Sequence, residues 1–261
     1  GTTEPSVIAV RSECSASSGL ASTDGGVRPR TMIAGIRLKI CGLTTLVDAG
    51  FADRAGADYL GFILYPKSPR YISLAQFLAM KDRLPAGRRK VAVMVEPTDE
   101  QLTAAKAAGF DYFQVHFRHD HPISRIESWS REVGPERLWL APKLPTGRDV
   151  NEAWLPLAET ILFDAFDEHR FGGSGRAGDW EKFRRHLTKH GDKTWILAGG
   201  LGPENLGEAL TASGARFVDM NSGVEVSPGI KDHARIEKAV SAIRHARASG
   251  SGGIDNRGTP G

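Results

Sequence analysis

The sequence predicts one (βα)8 barrel, an α/β fold with an eight-stranded parallel sheet. Short apolar runs alternate with amphipathic stretches about every 20–30 residues, which is typical of strands joined by helices in a parallel sheet. Eight apolar runs can be counted, and eight strands with eight helices close into a barrel. The length of 261 residues fits this fold, because such barrels often form one domain of about 200–250 residues.

An open doubly wound sheet is the alternative fold. Such a sheet usually carries a GxGxxG phosphate-binding fingerprint after its first strand. Residues 41–45 read CGLTT at that point, so the sequence favours the barrel.

Each predicted strand is a short run rich in apolar residues and bounded by polar residues or glycine. In chain order the strands are predicted at 36–41, 58–64, 90–95, 111–117, 137–144, 160–166, 194–200 and 216–222. A helix should follow each strand, and the clearest helices cover 46–56, 98–109, 203–214 and 233–246. We expect Thr98 and Asp179 to cap the third and sixth helices and Pro203 to begin the seventh.

The two ends of the chain differ in composition from the middle. Residues 1–31 are rich in Gly, Ser, Thr and Pro without a sustained period, which predicts a disordered extension, with Met32 as the original start. This stretch lacks the basic start and apolar core of a signal peptide, although its arginines leave a weak organelle-targeting role open. The catalytic barrel is predicted to cover 32–247, and residues 248–261 form a second glycine-rich, disordered tail.

Charge and cysteine usage exclude several classes of protein. A formal charge of +3, with basic residues spread among carboxylates, does not predict nucleic-acid binding. No apolar run approaches the ~18 residues of a membrane span, so we expect no membrane partner. Cys14 and Cys41 have neither a CxxC partner nor a nearby histidine pair, which suggests a reducing, cytoplasmic setting without disulfide or zinc.

The catalytic groups of a barrel lie at the carboxyl ends of its strands, and the first strand ends in Lys39 and Cys41. These residues are two apart, so they share one face of the strand. A lysine inside the barrel would need an anion nearby, and its charge would favour the thiolate of Cys41. A small buried core cysteine is the equal alternative.

Two further strand ends carry charged residues. A loop with two prolines follows the second strand and presents Lys67 and Arg70, where an arginine could grip a carboxylate or phosphate, although a merely solvated loop is the commoner case. The sixth strand supplies Asp164 among apolar neighbours. Apolar surroundings would raise the pKa of that carboxyl toward the range of a general acid, while a structural aspartate or helix cap is equally consistent.

Glycine-rich segments follow the last three strands. Residues 171–180 read FGGSGRAGDW, residues 198–200 read AGG and residues 221–229 read NSGVEVSPG. Loops after the seventh and eighth strands form the recurring phosphate site of this fold, because backbone N–H groups and a helix N-terminus converge there. The sequence therefore predicts phosphate binding.

Taken together, these segments resemble one family. KICGLT, GFILYPKSPRYIS, QVH, LFDAF with FGGSG and GDW, ILAGGLGPEN and VDMNSGVEVSPGIKD are similar to phosphoribosylanthranilate isomerase of tryptophan biosynthesis. The resemblance runs in order from about residue 36 to residue 246. It implies an Amadori rearrangement of N-(5-phosphoribosyl)anthranilate, without metal or organic cofactor, in a monomer or homodimer.

The resemblance also implies roles for individual residues. Cys41 matches the general base, Asp164 the general acid and Arg70 the arginine that holds the anthranilate carboxylate. The remaining substrate-binding residues are Lys39 beside Cys41, Gly172 and Gly173 in the sixth loop, and the phosphate-binding set Gly199, Gly200, Asn221, Ser222 and Gly223.

The sequence departs from the family pattern after the fourth strand. The family usually continues QLHG, whereas this chain has Phe117 in the glycine position, followed by His119 and His121. A glycine-specific backbone angle would be strained by phenylalanine, so we expect a loop of different shape. We assign no catalytic role to His116.

Other phosphosugar barrels remain as rival interpretations. The histidine-pathway sugar isomerase favours paired aspartates at the first and fifth strands, and indole-glycerol-phosphate synthase a lysine and glutamate set. Cys41 at the first strand argues against both. A barrel that binds a phosphosugar without turning it over is the non-enzymatic alternative.

Overall fold

Eight parallel strands close into a barrel in the computed structural model, which describes residues 32–145, 147–165 and 175–250. The strands are Arg37–Ile40 (β1), Tyr59–Ile63 (β2), Arg89–Val95 (β3), Tyr112–Arg118 (β4), Leu138–Lys143 (β5), Thr160–Asp164 (β6), Thr194–Ala198 (β7) and Phe217–Met220 (β8). All eight predicted strands are present, and each observed end lies within two residues of its predicted end. The predicted (βα)8 class is confirmed.

The barrel closes because its first and last strands pair. Lys39 of β1 lies opposite Asp219 of β8, and on its other side it lies opposite Tyr59 of β2. Side chains alternate between the two faces of each strand. Leu38 and Ile40 therefore pack in the layer between sheet and helices, while Cys41 belongs to the apolar cluster inside the barrel.

Aromatic side chains contribute much of the filling inside the barrel. Tyr59 lies 4.9 Å from Phe217 and 5.2 Å from Trp139, measured between ring centroids. Tyr112 adds a further ring at 5.0 Å from Trp139. Large rings of this kind fill the interior as a packed core.

Seven α-helices lie within the described residues: Leu46–Ala55 (α1), Leu74–Lys81 (α2), Asp99–Ala108 (α3), Ile123–Val133 (α4), Gly175–Lys189 (α5), Leu206–Ser213 (α6) and His233–Gly250 (α7). The prediction of a helix after every strand is wrong at one place. Between β5 and β6 the chain forms a 3-10 helix, Glu152–Leu157, with Pro156 inside it. Proline lacks the N–H that an α-helix interior needs.

Helix starts were predicted with mixed success. Thr98 is the N-cap of α3, where it accepts from the Gln101 N–H in a capping box. Asp179 lies inside α5 rather than before it, so its predicted cap role is wrong. Pro203 precedes α6, whose N-cap is Asn205, because the Asn205 side chain binds Gly202 N–H and Gly200 C=O and keeps this segment out of the helix.

Short elements complete the described chain. A hairpin of Glu225–Ser227 (β9) and Ile230–Lys231 (β10) follows β8. Helix α7 extends to Gly250, three residues beyond the predicted end of the barrel at 247. The predicted extension 1–31 and the rest of the predicted tail lie outside the described residues. Among the described helices, none has the length and apolar character needed to cross a bilayer.

Candidate active site

A cavity of about 300 Å³ opens at the carboxyl ends of the strands. Six of the predicted site residues line it: Cys41, Asp164, Gly199, Gly200, Asn221 and Ser222. Cys41 directly follows β1, Asp164 ends β6, and the other four lie in the segments after β7 and β8. Barrel closure thus brings together residues that lie far apart in the sequence.

Other predicted site residues lie elsewhere. Lys39 is fully buried in the barrel wall and does not line the cavity, so the structure does not support its predicted direct contact with substrate. Gly223 packs against the segment after β7, where an added Cβ would lie 2.0 Å from the Leu201 carbonyl oxygen. Gly172 and Gly173 lie outside the described residues.

The two glycines after β7 have the backbone angles that glycine tolerates best. Gly199 has φ 97° and Gly200 has φ 59°, a region that L side chains rarely adopt. Asn205 holds the Gly200 carbonyl, which fixes the end of this segment. Gly199 and Gly200 therefore line the cavity with backbone in a conformation that favours glycine.

Lys39 forms a buried ion pair beneath the cavity. Its Nζ donates to Asp219 Oδ2 at 2.7 Å. Burial alone would lower the pKa of Lys39, but the charges of Asp219 and Cys41 outweigh it and the pKa is raised. The anion that the sequence required near Lys39 is therefore Asp219.

Cys41 lies above this pair, and opposing effects act on its thiol. Burial raises the pKa of Cys41, Lys39 acts in the opposite direction, and the net result is a raised pKa. Lys39 thus favours the thiolate as expected, but burial prevails. Burial, together with the negative charge of Asp219, disfavours the thiolate more than Lys39 and Lys231 favour it.

Asp164 does not have the surroundings that the sequence predicted. Its side chain is exposed at the end of β6, while Leu162 and Phe163 are buried. The expected apolar setting is therefore wrong, because the strand ends at Asp164 and turns the side chain toward the cavity mouth. An exposed carboxyl at this point can reach a ligand in the cavity.

Gln114 and His116 of β4 form a second polar pair in the cavity. Gln114 Nε2 lies 2.8 Å from His116 Nε2, and Gln114 Oε1 is buried without a hydrogen-bond partner. Burial and the positive charge of Lys39 lower the pKa of His116 to about 4, so its ring is neutral near pH 7. Neutral groups of this kind can bind substrate hydroxyls through hydrogen bonds.

Phe117 is not strained, contrary to the sequence expectation. It lies in extended β4, and the described non-glycine residues with positive φ are Ala34 and Glu96. Its buried ring packs against Trp129 and Trp154, with centroids 5.8 and 5.1 Å away. Phenylalanine in place of the family's glycine is therefore accommodated by packing against these two rings.

Arg70 lies beside the cavity and is held by Glu225. Arg70 Nε donates to Glu225 Oε1 at 2.9 Å, and Nη2 donates to Oε2 at 2.7 Å. Arg70 Cδ and Asn221 Oδ1 both approach Gly42, since an added Cβ there would lie 2.8 and 2.6 Å from them. The arginine and the Asn221 side chain therefore both lie against Gly42, the residue after Cys41.

Sequence reasoning missed Asp219 and Glu225. Asp219 could have been found by alternation, because Phe217 two residues earlier points into the barrel. Glu225 had no such signal, since its partner Arg70 lies 155 residues away.

Among the described residues, no group of three or more His, Cys, Asp or Glu side chains is arranged to hold a metal ion.

Known proteins are similar to this chain along nearly the whole barrel. A family model described as N-(5'-phosphoribosyl)anthranilate (PRA) isomerase matches residues 38–242. The curated N-(5'-phosphoribosyl)anthranilate isomerase of Zymomonas mobilis is 36% identical over 213 residues, covering 80% of this chain and 98% of that protein. The corresponding Cereibacter sphaeroides protein is 38% identical over 223 residues, covering 81% and 100%.

Solved structures give the same result. Phosphoribosyl anthranilate isomerase from Thermotoga maritima has a TM-score of 0.67 and 33% identity, covering 80% of this chain and 99% of that one. A phosphoribosyl anthranilate isomerase in complex with reduced 1-(o-carboxyphenylamino)-1-deoxyribulose 5-phosphate has a TM-score of 0.65 and 31% identity, with the same coverage.

Proposed function

The chain belongs to the N-(5'-phosphoribosyl)anthranilate isomerase family, and from that premise we propose that Cys41 and Asp164 carry the proton transfers of its reaction. The protein is an isomerase of tryptophan biosynthesis. The observation that carries the proposal is that both side chains line one cavity, at the ends of β1 and β6. General acid–base catalysis needs two such groups within reach of one substrate.

The reaction uses the two residues in sequence. Asp164 protonates the ring oxygen of the phosphoribosyl sugar, and the C1–O bond breaks as the anthranilate nitrogen supplies electrons to form an iminium. Cys41 then removes the proton from C2, giving an enolamine that tautomerises to the ketone. The exposed position of Asp164 lets it reach the ring oxygen. Buried Cys41 reaches C2 from the barrel interior.

The raised pKa of Cys41 affects both the fraction of thiolate and the strength of that thiolate as a base. A thiol of raised pKa is mostly protonated near neutral pH, but its thiolate is a stronger base when formed. Lys39 beneath it opposes the effect of burial on the thiol. In this proposal Lys39 supports the base electrostatically and does not touch the substrate.

The two anionic ends of the substrate are assigned to two different groups of residues. Arg70 binds the anthranilate carboxylate, since a guanidinium matches a carboxylate in geometry and charge. The backbone at Gly199, Gly200 and Ser222, with Asn221, binds the phosphate. The ligand in the solved relative, a reduced carboxyphenylamino-deoxyribulose phosphate, has both anionic groups and supports this assignment.

Kinetics of two variants test the proposal. We expect Cys41→Ala and Asp164→Asn each to lower kcat by about 10²–10⁴-fold, because each removes one proton-transfer group. Turnover is followed by the loss of anthranilate fluorescence. Cys14→Ala and Asp192→Asn are the matched controls, and neither should change kcat. Unchanged turnover in either site variant would rule out its assigned role.

A further inference from the structure

Glu225 is a nearly buried carboxylate held between two cations. Its side chain is 4% exposed, that of Arg70 18% and that of Lys231 0%. Besides the two-pronged contact with Arg70, Glu225 Oε1 accepts from Lys231 Nζ at 2.7 Å and from Gly229 N–H at 3.2 Å. Burial would raise the pKa of Glu225, but Arg70 and Lys231 outweigh it and the pKa is lowered, so the carboxylate is charged.

Lys231 extends this contact to Asn221. Its Nζ donates to Asn221 Oδ1 at 3.0 Å and lies 3.4 Å from the Asn221 carbonyl oxygen. Asn221 lines the cavity. Glu225 therefore touches Arg70 directly and reaches Asn221 through one lysine.

The three charges do not cancel. Arg70 and Lys231 supply two positive charges and Glu225 one negative charge, so positive charge is in excess within this group of three side chains. Arg70 uses Nε and Nη2 on Glu225, and within the described residues Nη1 has no hydrogen-bond partner. One edge of the guanidinium is thus held by Glu225, and among the described residues the Nη1 edge is left for an anion.

We propose that Glu225 is a positioning residue that orients Arg70 for the substrate carboxylate and, through Lys231, fixes Asn221 on the phosphate side. This inference rests on the proposed role of Arg70. A long arginine side chain loses rotamer entropy when it is ordered. Glu225 orders it before the substrate arrives, which lowers the cost of binding.

The separation of the two anion sites follows from the same contacts. Arg70 and Asn221 flank Gly42, and both are tied to the Glu225 carboxylate within one or two hydrogen bonds. A substrate that carries a carboxylate and a phosphate must match that fixed spacing. Glu225 therefore contributes to the choice of an arylamine that bears a carboxylate.

The test compares two stable ligands with the wild type and Glu225→Gln. One ligand is reduced 1-(o-carboxyphenylamino)-1-deoxyribulose 5-phosphate, and the other is its counterpart made from aniline, which lacks the carboxylate. Calorimetry gives Kd for each. We expect the wild type to prefer the carboxylate ligand and Glu225→Gln to reduce that preference by about tenfold, as loss of an oriented charge-assisted contact should do.

Two further variants separate the possible explanations. Arg70→Ala should reduce the preference to a similar extent. Glu204→Gln is the matched control and should leave the preference unchanged. Exposed Glu204 pairs with Arg235 at 2.7 Å, and the contacts of the described residues do not join it to Arg70.

Each result decides a specific point. A reduced preference in Arg70→Ala but not in Glu225→Gln overturns the positioning role and leaves Arg70 as the carboxylate ligand. An unchanged preference in Arg70→Ala overturns the proposed carboxylate site itself. Equal weakening of both ligands by Glu225→Gln shows a purely structural role and also overturns the inference.

Glu225→Asp is a second variant that tests the inference if Glu225→Gln does not fold. It keeps the negative charge beside Lys231 but shortens the side chain by one methylene, so the paired contact with Arg70 is lost. If Glu225→Gln does not fold, Glu225→Asp must show the same reduced preference, and an unchanged preference in that variant overturns the inference.

Discussion

Cys41 is both a core residue and a residue of the cavity wall. It is buried within the apolar cluster inside the barrel and also lines the cavity. Lys39 and Asp219 directly beneath it act on the thiol in opposite directions. The two interpretations of this cysteine that the sequence left open are therefore compatible at one position.

His116 provides a pH-dependent prediction at the same scale. Its pKa is lowered to about 4 by burial and by Lys39, whereas an unfolded histidine titrates near 6.5. The unfolded chain therefore binds more protons between these values, and stability falls as pH decreases from about 6.5 to 4. A shift of this size corresponds to roughly 3 kcal/mol.

We expect His116→Gln to remove this part of the pH dependence. Urea unfolding at pH 7 and pH 4.5 should show that the wild type loses about 2 kcal/mol more than the variant between the two values. Exposed His245→Gln serves as the control and should behave as the wild type does. Equal losses in the wild type and His116→Gln would contradict the lowered pKa.

At the scale of elements, the segment between β1 and α1 depends on Gly42. Gly42 has φ 71°, and an added Cβ would approach Asn221 and Arg70 to less than 3 Å. Gly147 has φ 79° but no atom of the described residues within 4 Å of an added Cβ. The two glycines share the backbone angle and differ in their neighbours.

Comparing Gly42→Ala with Gly147→Ala should distinguish the effect of backbone strain from the effect of displacing side chains at the site. Both should lose about 1 kcal/mol of stability because alanine is strained at positive φ. Only Gly42→Ala should lower kcat/KM, by about tenfold or more, because its methyl group displaces Arg70 and Asn221. Thermal unfolding and the fluorescence assay measure these effects, and equal activity in the two variants would contradict the expectation.

Elements were predicted well where local patterns determine them. The strands follow from apolar runs, and the α3 start follows from a capping box that lies within four residues. The α6 start was missed because Asn205 binds the segment before the helix instead of Pro203 beginning it. The α-helix expected between β5 and β6 is a 3-10 helix instead, because Pro156 lacks the N–H that an α-helix interior needs.

At the scale of the whole molecule, contacts across the barrel were beyond sequence reasoning. Lys39 and Asp219 are 180 residues apart, and Arg70 and Glu225 are 155 apart. Their pairing depends on closure between the first and last strands and on the position of the hairpin after β8. The residues at the strand ends could be named, and alternation could place Asp219 inside the barrel, but neither ion pair could be predicted from the sequence.

Truncation tests the domain boundary at this scale. We expect deletion of residues 1–31 to leave Tm and kcat/KM unchanged, because the described barrel begins after them. Deletion of residues 1–36 should be destabilising by about 2–5 kcal/mol, since it removes the buried side chains of Ile33 and Ile36. Loss of activity in the shorter deletion would show that residues 1–31 contribute to the enzyme.

Pairing between β1 and β8 also has a consequence for the timing of synthesis. The ribosome completes Cys41 early and Asp219, Asn221 and Glu225 late. A nascent chain that has released seven strands therefore contains Cys41 but lacks the Asp219 partner of Lys39, the Asn221 segment of the cavity and the Glu225 partner of Arg70. Enzymatic competence should arise in one step near the end of translation, when the last strand meets the first.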